Sequence, residues 1–336
     1  MIDLRSDTVT KPTKKMLEAM MMAKVGDDVF EEDPSVNYLE EKAAQMFGKQ
    51  AALFCPSGTM TNQIALKIKT NPGEEIICDR LSHIYNYESG GIAFNSACSV
   101  RLLNGENGCF EASEVEQNIN KDDIHLPVTS LVSVENTCNK GGGSIYSLKS
   151  IEEIASVCTK KSLSFHLDGA RIFNAIVASK TSLKQLVKYF DTISVCLSKG
   201  LGAPVGSLLL GTNNDIKKAK RIRKVFGGGM RQAGYLASAG IYALENHVHR
   251  LASDHNRAKY LADLLKSSSF VKEVLDPQTN IVIFSVNGDA KKWASKLTSK
   301  GLACLNIDNS SIRMVTHLDF TDNCLQKAKG ILSKIS

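Results

Sequence analysis

Between residues 51 and 210 the chain alternates short apolar runs with loops and helical stretches. The runs fall at 51–54, 75–78, 100–102, 128–134, 163–167, 193–197 and 206–210. Short runs of this kind, without regular apolar–polar alternation, are the pattern of strands buried on both faces. They predict a mostly parallel sheet covered by helices on either side. Ahead of them, residues 13–23 carry Met16, Leu17, Met20 and Met21 at helical spacing, too short to stand alone and read as an arm packed on the body. The acidic stretch 27–34 reads as a loop, and Ser35 as the cap of a helix running to about 47.

Beyond the sheet region, the alanine-rich segment 233–267 predicts one or two long helices, with Gly240 tolerated inside. Strands at 280–286 and 312–316 then alternate with helices at 290–300 and 322–333. The expected fold class is α/β: a large domain with a mostly parallel mixed sheet and a smaller C-terminal α/β domain. The boundaries expected are an arm at 1–24, the large domain at 25–245 and the small domain at 246–336. No repeat, low-complexity tract or flexible linker separates them, so the two domains should pack tightly.

Composition narrows the classes. With 336 residues, 43% of them hydrophobic and 23% charged, the chain has material for two domains with ordinary soluble cores. No apolar stretch approaches the ~20 residues that span a bilayer, and the opening Met1-Ile2-Asp3-Leu4-Arg5 lacks a secretory apolar segment. The expectation is a cytoplasmic protein with no membrane partner. Nine cysteines, an odd number with no C-x-x-C pair, read as reduced core residues. His247, His249 and His255 do not share a helix face or complete a ligand set, so no metal is expected. The net charge of +6 and the basic run at 217–224 lack the aromatic interleaving or motif of a nucleic-acid binder, and no nucleic-acid partner is expected.

Candidate chemistry gathers on strand ends. Lys199 follows the run 192–197 and opens the glycine-rich turn Ser198-Lys199-Gly200-Leu201-Gly202. Strands feeding such turns deliver residues to the carboxyl edge of an α/β sheet, where ligands bind, and a partly desolvated amine there is a nucleophile for carbonyls. Asp168 ends the run 163–167 and precedes Gly169-Ala170-Arg171. Lys199 lies 31 residues further on, the interval of one crossover helix between parallel strands, which brings both strand ends to one edge. A Schiff-base lysine with an acid for a pyridine nitrogen is what pyridoxal phosphate requires, because that acid favours the protonated, electron-withdrawing ring. Without such a cofactor the same residues would make a strand-end salt bridge and a surface lysine.

Pro56-Ser57-Gly58-Thr59 precedes a helical run at 60–69, where backbone N–H groups and a small hydroxyl make an anion cradle; read alone, it is also an ordinary helix cap. His83, just past the run 75–78, is placed to stack on a planar ring, or else is a surface histidine. His125 by itself reads as a loop histidine. Arg313 lies in the apolar run 312–316, where a guanidinium needs a partner, either a substrate carboxylate or an internal acid.

The chain resembles the low-specificity L-threonine aldolases, pyridoxal-phosphate enzymes of the aspartate-aminotransferase fold, type I. The likeness runs through Asp3-Leu4-Arg5-Ser6-Asp7-Thr8-Val9-Thr10, Val25-Gly26-Asp27-Asp28, Pro56-Ser57-Gly58-Thr59, Glu135-Asn136-Thr137, His166-Leu167-Asp168-Gly169-Ala170-Arg171, Leu197-Ser198-Lys199-Gly200-Leu201-Gly202, Gly227-Gly228-Gly229-Met230-Arg231-Gln232 and Arg313-Met314-Val315-Thr316-His317. It implies that Lys199 carries the cofactor, Asp168 holds its ring nitrogen, Arg171 reaches its hydroxyl side, and Gly58 and Thr59 bind phosphate. Arg231 is implied as a further phosphate contact across a subunit interface. His83 would stack on the ring, His125 would be a second pocket histidine near the substrate hydroxyl, and Ser6, Arg171 and Arg313 would cage the substrate carboxylate.

The reaction implied is retro-aldol cleavage of L-threonine, L-allo-threonine and related β-hydroxy amino acids to glycine and acetaldehyde, by a homo-oligomer, a tetramer built as a dimer of dimers. The residues leave open whether His83, His125 or a phosphate-bound water is the base. The alternatives are another pyridoxal-phosphate β-eliminating lyase or an aminotransferase, since one constellation serves several bond cleavages, and a non-enzymatic cofactor-binding protein, against which the intact Lys199 and the lack of a DNA-binding module count.

Overall fold

The computed structural model describes residues 1–335. Its strands are β1 (Ile2–Asp3), β2 (Ala51–Cys55), β3 (Glu75–Asp79), β4 (Ser99–Leu103), β5 (Thr129–Glu135), β6 (Ser164–Asp168), β7 (Thr192–Cys196), β8 (Ser207–Gly211), β9 (Val271–Leu275), β10 (Ile281–Val286), β11 (Leu302–Ala303), β12 (Leu305–Asn306) and β13 (Ser311–Val315). Seven form one sheet in the order β2-β8-β7-β6-β5-β3-β4. Only β8 runs against its neighbours, pairing antiparallel with both β2 and β7, and the other pairs are parallel. Two reversals cancel, so β2 points the same way as β3 to β7, and all six present their carboxyl ends along one edge. The expected mostly parallel mixed sheet is present, and all seven of its strands were legible as apolar runs.

Burial explains that legibility. Every residue of β3, β7 and β8 is buried, because helices cover both faces. Alternate side chains of one strand enter different cores: Ala52 and Phe54 pack with the helices Pro34–Phe47, Leu148–Lys160 and Gly234–Asn246, while Leu53 and Cys55 pack beneath Gly58–Lys69 and Asn213–Val225. The helix Lys14–Met21 lies on the first side, burying Met16 in that core as an arm.

A second core, with Leu261, Phe284, Met314 and Phe320, lies between the helices Leu251–Lys266, Ala290–Ser299 and Asp322–Leu332 and an antiparallel sheet of order β12-β13-β10-β9. Its β9 was not anticipated, because its mixture of charged and half-exposed residues carries no apolar run. Leu4 is buried in the same core; β1 pairs parallel with β11, and Val315 N–H donates to the Leu4 carbonyl at 2.8 Å. Two-residue strands have no periodicity to read, so this seat of the N-terminus was invisible in the sequence.

The segment 233–267 is two helices, Gly234–Asn246 and Leu251–Lys266. The junction grips the turn after β7: His247 Nδ1 donates to the Leu201 carbonyl at 2.6 Å and Arg250 Nη1 to the Gly200 carbonyl at 3.1 Å. In that turn Gly202 N–H closes onto the Lys199 carbonyl at 2.8 Å, with Gly202 at φ 79°, a conformation that favours glycine.

One local expectation is corrected. The cap of the helix Pro34–Phe47 is Asp33, not Ser35: Asp33 Oδ1 accepts from Ser35 N and Val36 N at 3.1 and 3.0 Å, with proline at the first helical position. Its other oxygen accepts from Gly26 N at 3.2 Å and Gly234 N at 2.8 Å. One buried carboxylate thus ties the acidic loop to two helices. We expect Asp33→Ala to lower stability by about 2–4 kcal/mol, since it removes a cap and leaves buried donors unpaired. Ser35→Ala should change it by less than about 1 kcal/mol. Urea unfolding measures both, and equal effects would return the cap to Ser35.

Candidate active site

Adjacent strand ends bring the predicted residues together. Asp168 closes β6 and stands opposite Glu135 on β5 and Ser194 on β7. Lys199 lies three residues past the end of β7, half-buried, and its amine has no hydrogen bond or ion pair among the described residues. Its charge is felt by Asp7 and by His83, which places it between the N-terminal segment and the helix His83–Asn86.

Asp168 is buried and has no lysine or arginine partner among the described residues. Neutral donors hold it: Ala170 N–H donates to Oδ1 at 3.1 Å and Asn62 Nδ2 to Oδ2 at 3.0 Å. Asn62 Oδ1 in turn faces His166 Nε2 at 3.2 Å, and His166 Nδ1 lies 2.9 Å from Thr192 Oγ1. Burial pushes His166 down to about 4 against the pull of Asp168, so it is neutral. Its Nε2 carries the proton, given to Asn62, and Nδ1 accepts from the threonine hydroxyl. The polar atoms of His83, Glu88 and Asp168 lie within 4.8 Å of one another, which sets His83 beside the acid. Its backbone N–H donates to Glu135 Oε2 at 2.8 Å, while Glu135 Oε1 accepts from Asn139 N at 2.9 Å. Burial, then the nearby Asp168 charge, raises the Glu135 carboxyl well above the usual carboxylate range.

Two arginines face the same space with different company. Arg171 is clamped by Asp7, Nε to Oδ2 at 2.8 Å and Nη2 to Oδ1 at 2.6 Å, with both side chains buried. Burial alone would raise the Asp7 carboxyl, but the Arg171 charge and hydrogen bonds, with Lys199 and Asn280, outweigh it and hold it at about 2. This clamp uses Nε–H and one Nη2 proton, leaving both Nη1 protons and the second Nη2 proton of Arg171 for a ligand. Arg313 has no acid: Nη1 donates to Asn139 Oδ1 at 2.7 Å, Nη2 to the Arg5 carbonyl at 3.1 Å, and Nε is buried without a partner. Burial and the Arg171 charge lower its pKa. Of the two partners the sequence allowed, the internal acid is absent among the described residues. Next to Arg5, Ser6 Oγ accepts from Thr8 N at 3.2 Å and from Thr8 Oγ1 at 2.8 Å, keeping its own proton to donate.

The helix Gly58–Lys69 begins at the same edge, after β2. Ser57 Oγ accepts from Met60 N at 3.2 Å, and the Thr59 side chain is exposed with no partner among the described residues. A side chain at Gly58 would meet Cys196 Sγ at 2.6 Å, so the turn is packed against the end of β7, while Ser57 and Thr59 on either side are exposed.

Two predicted residues are not brought in by this chain. His125 lies just before β5, at the amino edge of the sheet, 82% exposed and paired with Asp123 Oδ1 at 2.8 Å. Arg231 is half-exposed, donating to Asp27 Oδ2 at 2.9 Å and lying over the Phe30 ring. Arg231 belonged to a motif and His125 was matched only through the family likeness, and neither says which side of the sheet a loop occupies. Conversely Asp7, Asn62, Glu88, Asn139 and Asn280 were missed; Asp7 alone had a signal, its place in the Asp3 to Thr10 motif.

A mixed α/β sheet with a lysine and an acid on neighbouring strand ends, beside a helix amino terminus, defines a type I pyridoxal-phosphate enzyme. The chain matches the beta-eliminating lyase family over residues 3–288. It is 44% identical to the low specificity L-threonine aldolase of Escherichia coli (strain K12), over 95% of this chain and 94% of that protein, and 39% identical to low-specificity L-threonine aldolase 1 of Arabidopsis thaliana, over 97% and 96%. The chain therefore belongs to the beta-eliminating lyase family, among its low-specificity L-threonine aldolases. The solved threonine aldolase of Leishmania major shares the fold over the full length of both chains, with a TM-score of 0.86 at 19% identity.

The family depends on pyridoxal phosphate, and the residues fit that group. Asp168 is a buried acid with no cation, the Lys199 amine is unengaged, and the Gly58 cradle is open at its mouth. The Asp7–Arg171 clamp yields a pH prediction. A carboxyl held at about 2 when folded, against about 3.9 when unfolded, stabilises the protein fully above the unfolded value and loses this as pH falls towards 2. Asp7→Asn should destabilise by about 3–5 kcal/mol at pH 7, having stripped a buried guanidinium of its partner. By linkage the gap to wild type should narrow by about 2.6 kcal/mol as pH falls from about 5 to 1. Denaturation series across pH check this; a gap that does not narrow at low pH would refute it.

Proposed function

We propose that this chain cleaves L-threonine, L-allo-threonine and related β-hydroxy amino acids to glycine and acetaldehyde. Arg313 carries the reading: a half-buried guanidinium, its Nε covered and without a partner, that feels the Arg171 charge and has no acid among the described residues is a seat for the carboxylate of an amino acid. Kinship with the L-threonine aldolases supports the choice of bond.

When bound, pyridoxal phosphate supplies a carbonyl for the Lys199 amine and then for the substrate amine, and a sink for the electrons of the bond that breaks. The chain supplies the rest. Gly58 and Thr59 would hold its phosphate at the helix amino terminus, and Asp168 would serve its ring nitrogen. Arg313, Arg171 through its free N–H groups, and the Ser6 hydroxyl hold the substrate carboxylate, which orients the Cα–Cβ bond. His83 would take the proton of the β-hydroxyl. That oxygen becomes the carbonyl of acetaldehyde as Cα–Cβ breaks, and Cα is reprotonated to give glycine, so threonine is fully accounted for.

His125 and Arg231 serve, on this reading, across an interface between copies, in a tetramer built as a dimer of dimers. The apolar Ile124, Leu126 and Val128 beside His125 are exposed and suit burial against a second copy. No helix among the described residues is long and apolar enough to cross a membrane. Nine free cysteines support a cytoplasmic, reducing setting.

Lys199→Ala should abolish acetaldehyde release from L-threonine. Arg313→Ala should lower kcat/KM by about 30-fold or more, about 2 kcal/mol, mostly through KM. Steady-state assays on L-threonine and L-allo-threonine measure both. An unchanged KM in Arg313→Ala would remove that residue from the carboxylate site. Release of ammonia with 2-oxobutanoate, or of a keto acid by transamination, in place of acetaldehyde would assign the chain to the alternative eliminating or aminotransferase chemistry.

A further inference from the structure

Glu88 is a fully covered acid that the chemistry above does not use. It follows the short helix His83–Asn86 and precedes Ser89 at φ 53° and Gly90 at φ 71°, two left-handed residues that reverse the chain and leave Glu88 pointing inward. Its side chain is 0% exposed. Oε1 lies 3.0 Å from His83 Nδ1 and accepts from Asn62 Nδ2 at 2.8 Å; Oε2 accepts from Gln63 Nε2 at 2.6 Å.

Donor and acceptor bookkeeping around this acid has one solution. Asn62 Nδ2 reaches both Glu88 and Asp168, so its two protons serve two carboxylates, and its oxygen is left for His166. Gln63 turns its amine to Glu88 and its oxygen to Asn95 Nδ2 at 3.1 Å. Every neighbour of Glu88 therefore donates to it, and His83 Nδ1 must carry its proton. His83 Nε2 has no partner among the described residues, and the ring is 28% exposed, so this second nitrogen is the one left for a ligand.

We propose that Glu88 is a positioning residue for His83, fixing the tautomer in which Nδ1–H is given to Glu88 and Nε2 is the proton acceptor of the site. This rests on the reading of His83 as the residue that takes the β-hydroxyl proton. In that step the O–H bond breaks, its proton passes to Nε2, and the imidazolium formed is matched by the carboxylate already bonded to Nδ1, in the manner of an acid that orients a catalytic histidine. Asp168 is spared this task, because Asn62 stands between it and Glu88. The charged and titratable groups that face His83 are Glu88 from its own turn, Asp168 from β6, Glu135 from β5, Lys199 from the turn after β7, and the Tyr87 ring at 5.6 Å. Burial lowers the basicity of His83, but the Glu88 hydrogen bond and the Asp168 and Glu88 charges outweigh it, and the net shift is upward.

The test is site-resolved ethoxycarbonylation by diethyl pyrocarbonate, which reacts with unprotonated imidazole, followed by peptide mass mapping across pH. It is run on wild type, Glu88→Gln and Glu88→Asp, with exposed His125 as internal control. Wild-type His83 should titrate above the ordinary imidazole value of about 6.5. Glu88→Gln, which keeps the shape and can reset its bonds by turning the Gln63 and Asn95 amides, should lower that titration by about one unit or more. The acid limb of kcat/KM for L-threonine should move with it while KM stays nearly constant. Glu88→Asp should keep the high titration and lose kcat. A wild-type His83 that titrates at or below 6.5, or one unmoved in Glu88→Gln, overturns the proposal. The wild-type measurement decides even if a variant does not fold. Because the modification needs no substrate, a protein that released no acetaldehyde would overturn the functional reading and leave the Glu88 result to be judged on its own.

Discussion

Uncompensated charge at one sheet edge is the constraint on which the site depends. Burying an acid or a guanidinium without a counterion is unfavourable by several kcal/mol unless a partner is supplied, and folded chains normally supply one. Here Asp7 and Arg171 do so for each other. Asp168 and Arg313 are instead held by neutral groups, an asparagine and a backbone N–H for the acid, an asparagine and a backbone carbonyl for the guanidinium. The Asp7–Arg171 clamp matters because it pairs one acid with one cation, leaving a separated negative and positive seat. A protonated cofactor ring and a substrate carboxylate would supply the complementary pair.

The fold meets this constraint through strand direction. Six of seven strands point to the same edge, and the single reversed strand, β8, sits between β2 and β7. That arrangement places the anion cradle after β2 on the same edge as Lys199 after β7 and Asp168 at the end of β6. The second core adds the N-terminal segment and Arg313: β1 and Leu4 are fastened to β11 and β13, so Ser6, Asp7 and the Arg5 carbonyl reach the edge from the smaller body. The site is therefore formed where two cores meet, and His247 and Arg250, at the junction of the two long helices, hold the lysine turn from the same side.

Much of this was legible in the sequence because it depends on period and position along the chain. Buried strands read as apolar runs, and Asp168 and Lys199 could be placed on neighbouring strand ends from their spacing alone. What was not legible depends on contacts far apart in sequence. Asn62 and Glu88 sit within helical or turn segments with no local sign of function; Asn62 acquires one from Asp168, 106 positions away, and Glu88 is locked in place by Asn62, 26 positions away. Ser35 looked like a cap because a proline-led helix start with an aspartate before it offers two candidates; the carboxylate won by accepting four N–H groups. His125 shows a different limit, since a likeness to a family says nothing of which end of the sheet a residue's loop occupies or which copy of the chain it serves.

The most direct measurement is to load the protein with pyridoxal phosphate, reduce it with borohydride and map the modified peptide. The account predicts a single adduct, on Lys199, the amine left without a partner at the strand edge that also carries Asp168. An adduct on any other lysine, or no covalent adduct at all, would contradict it.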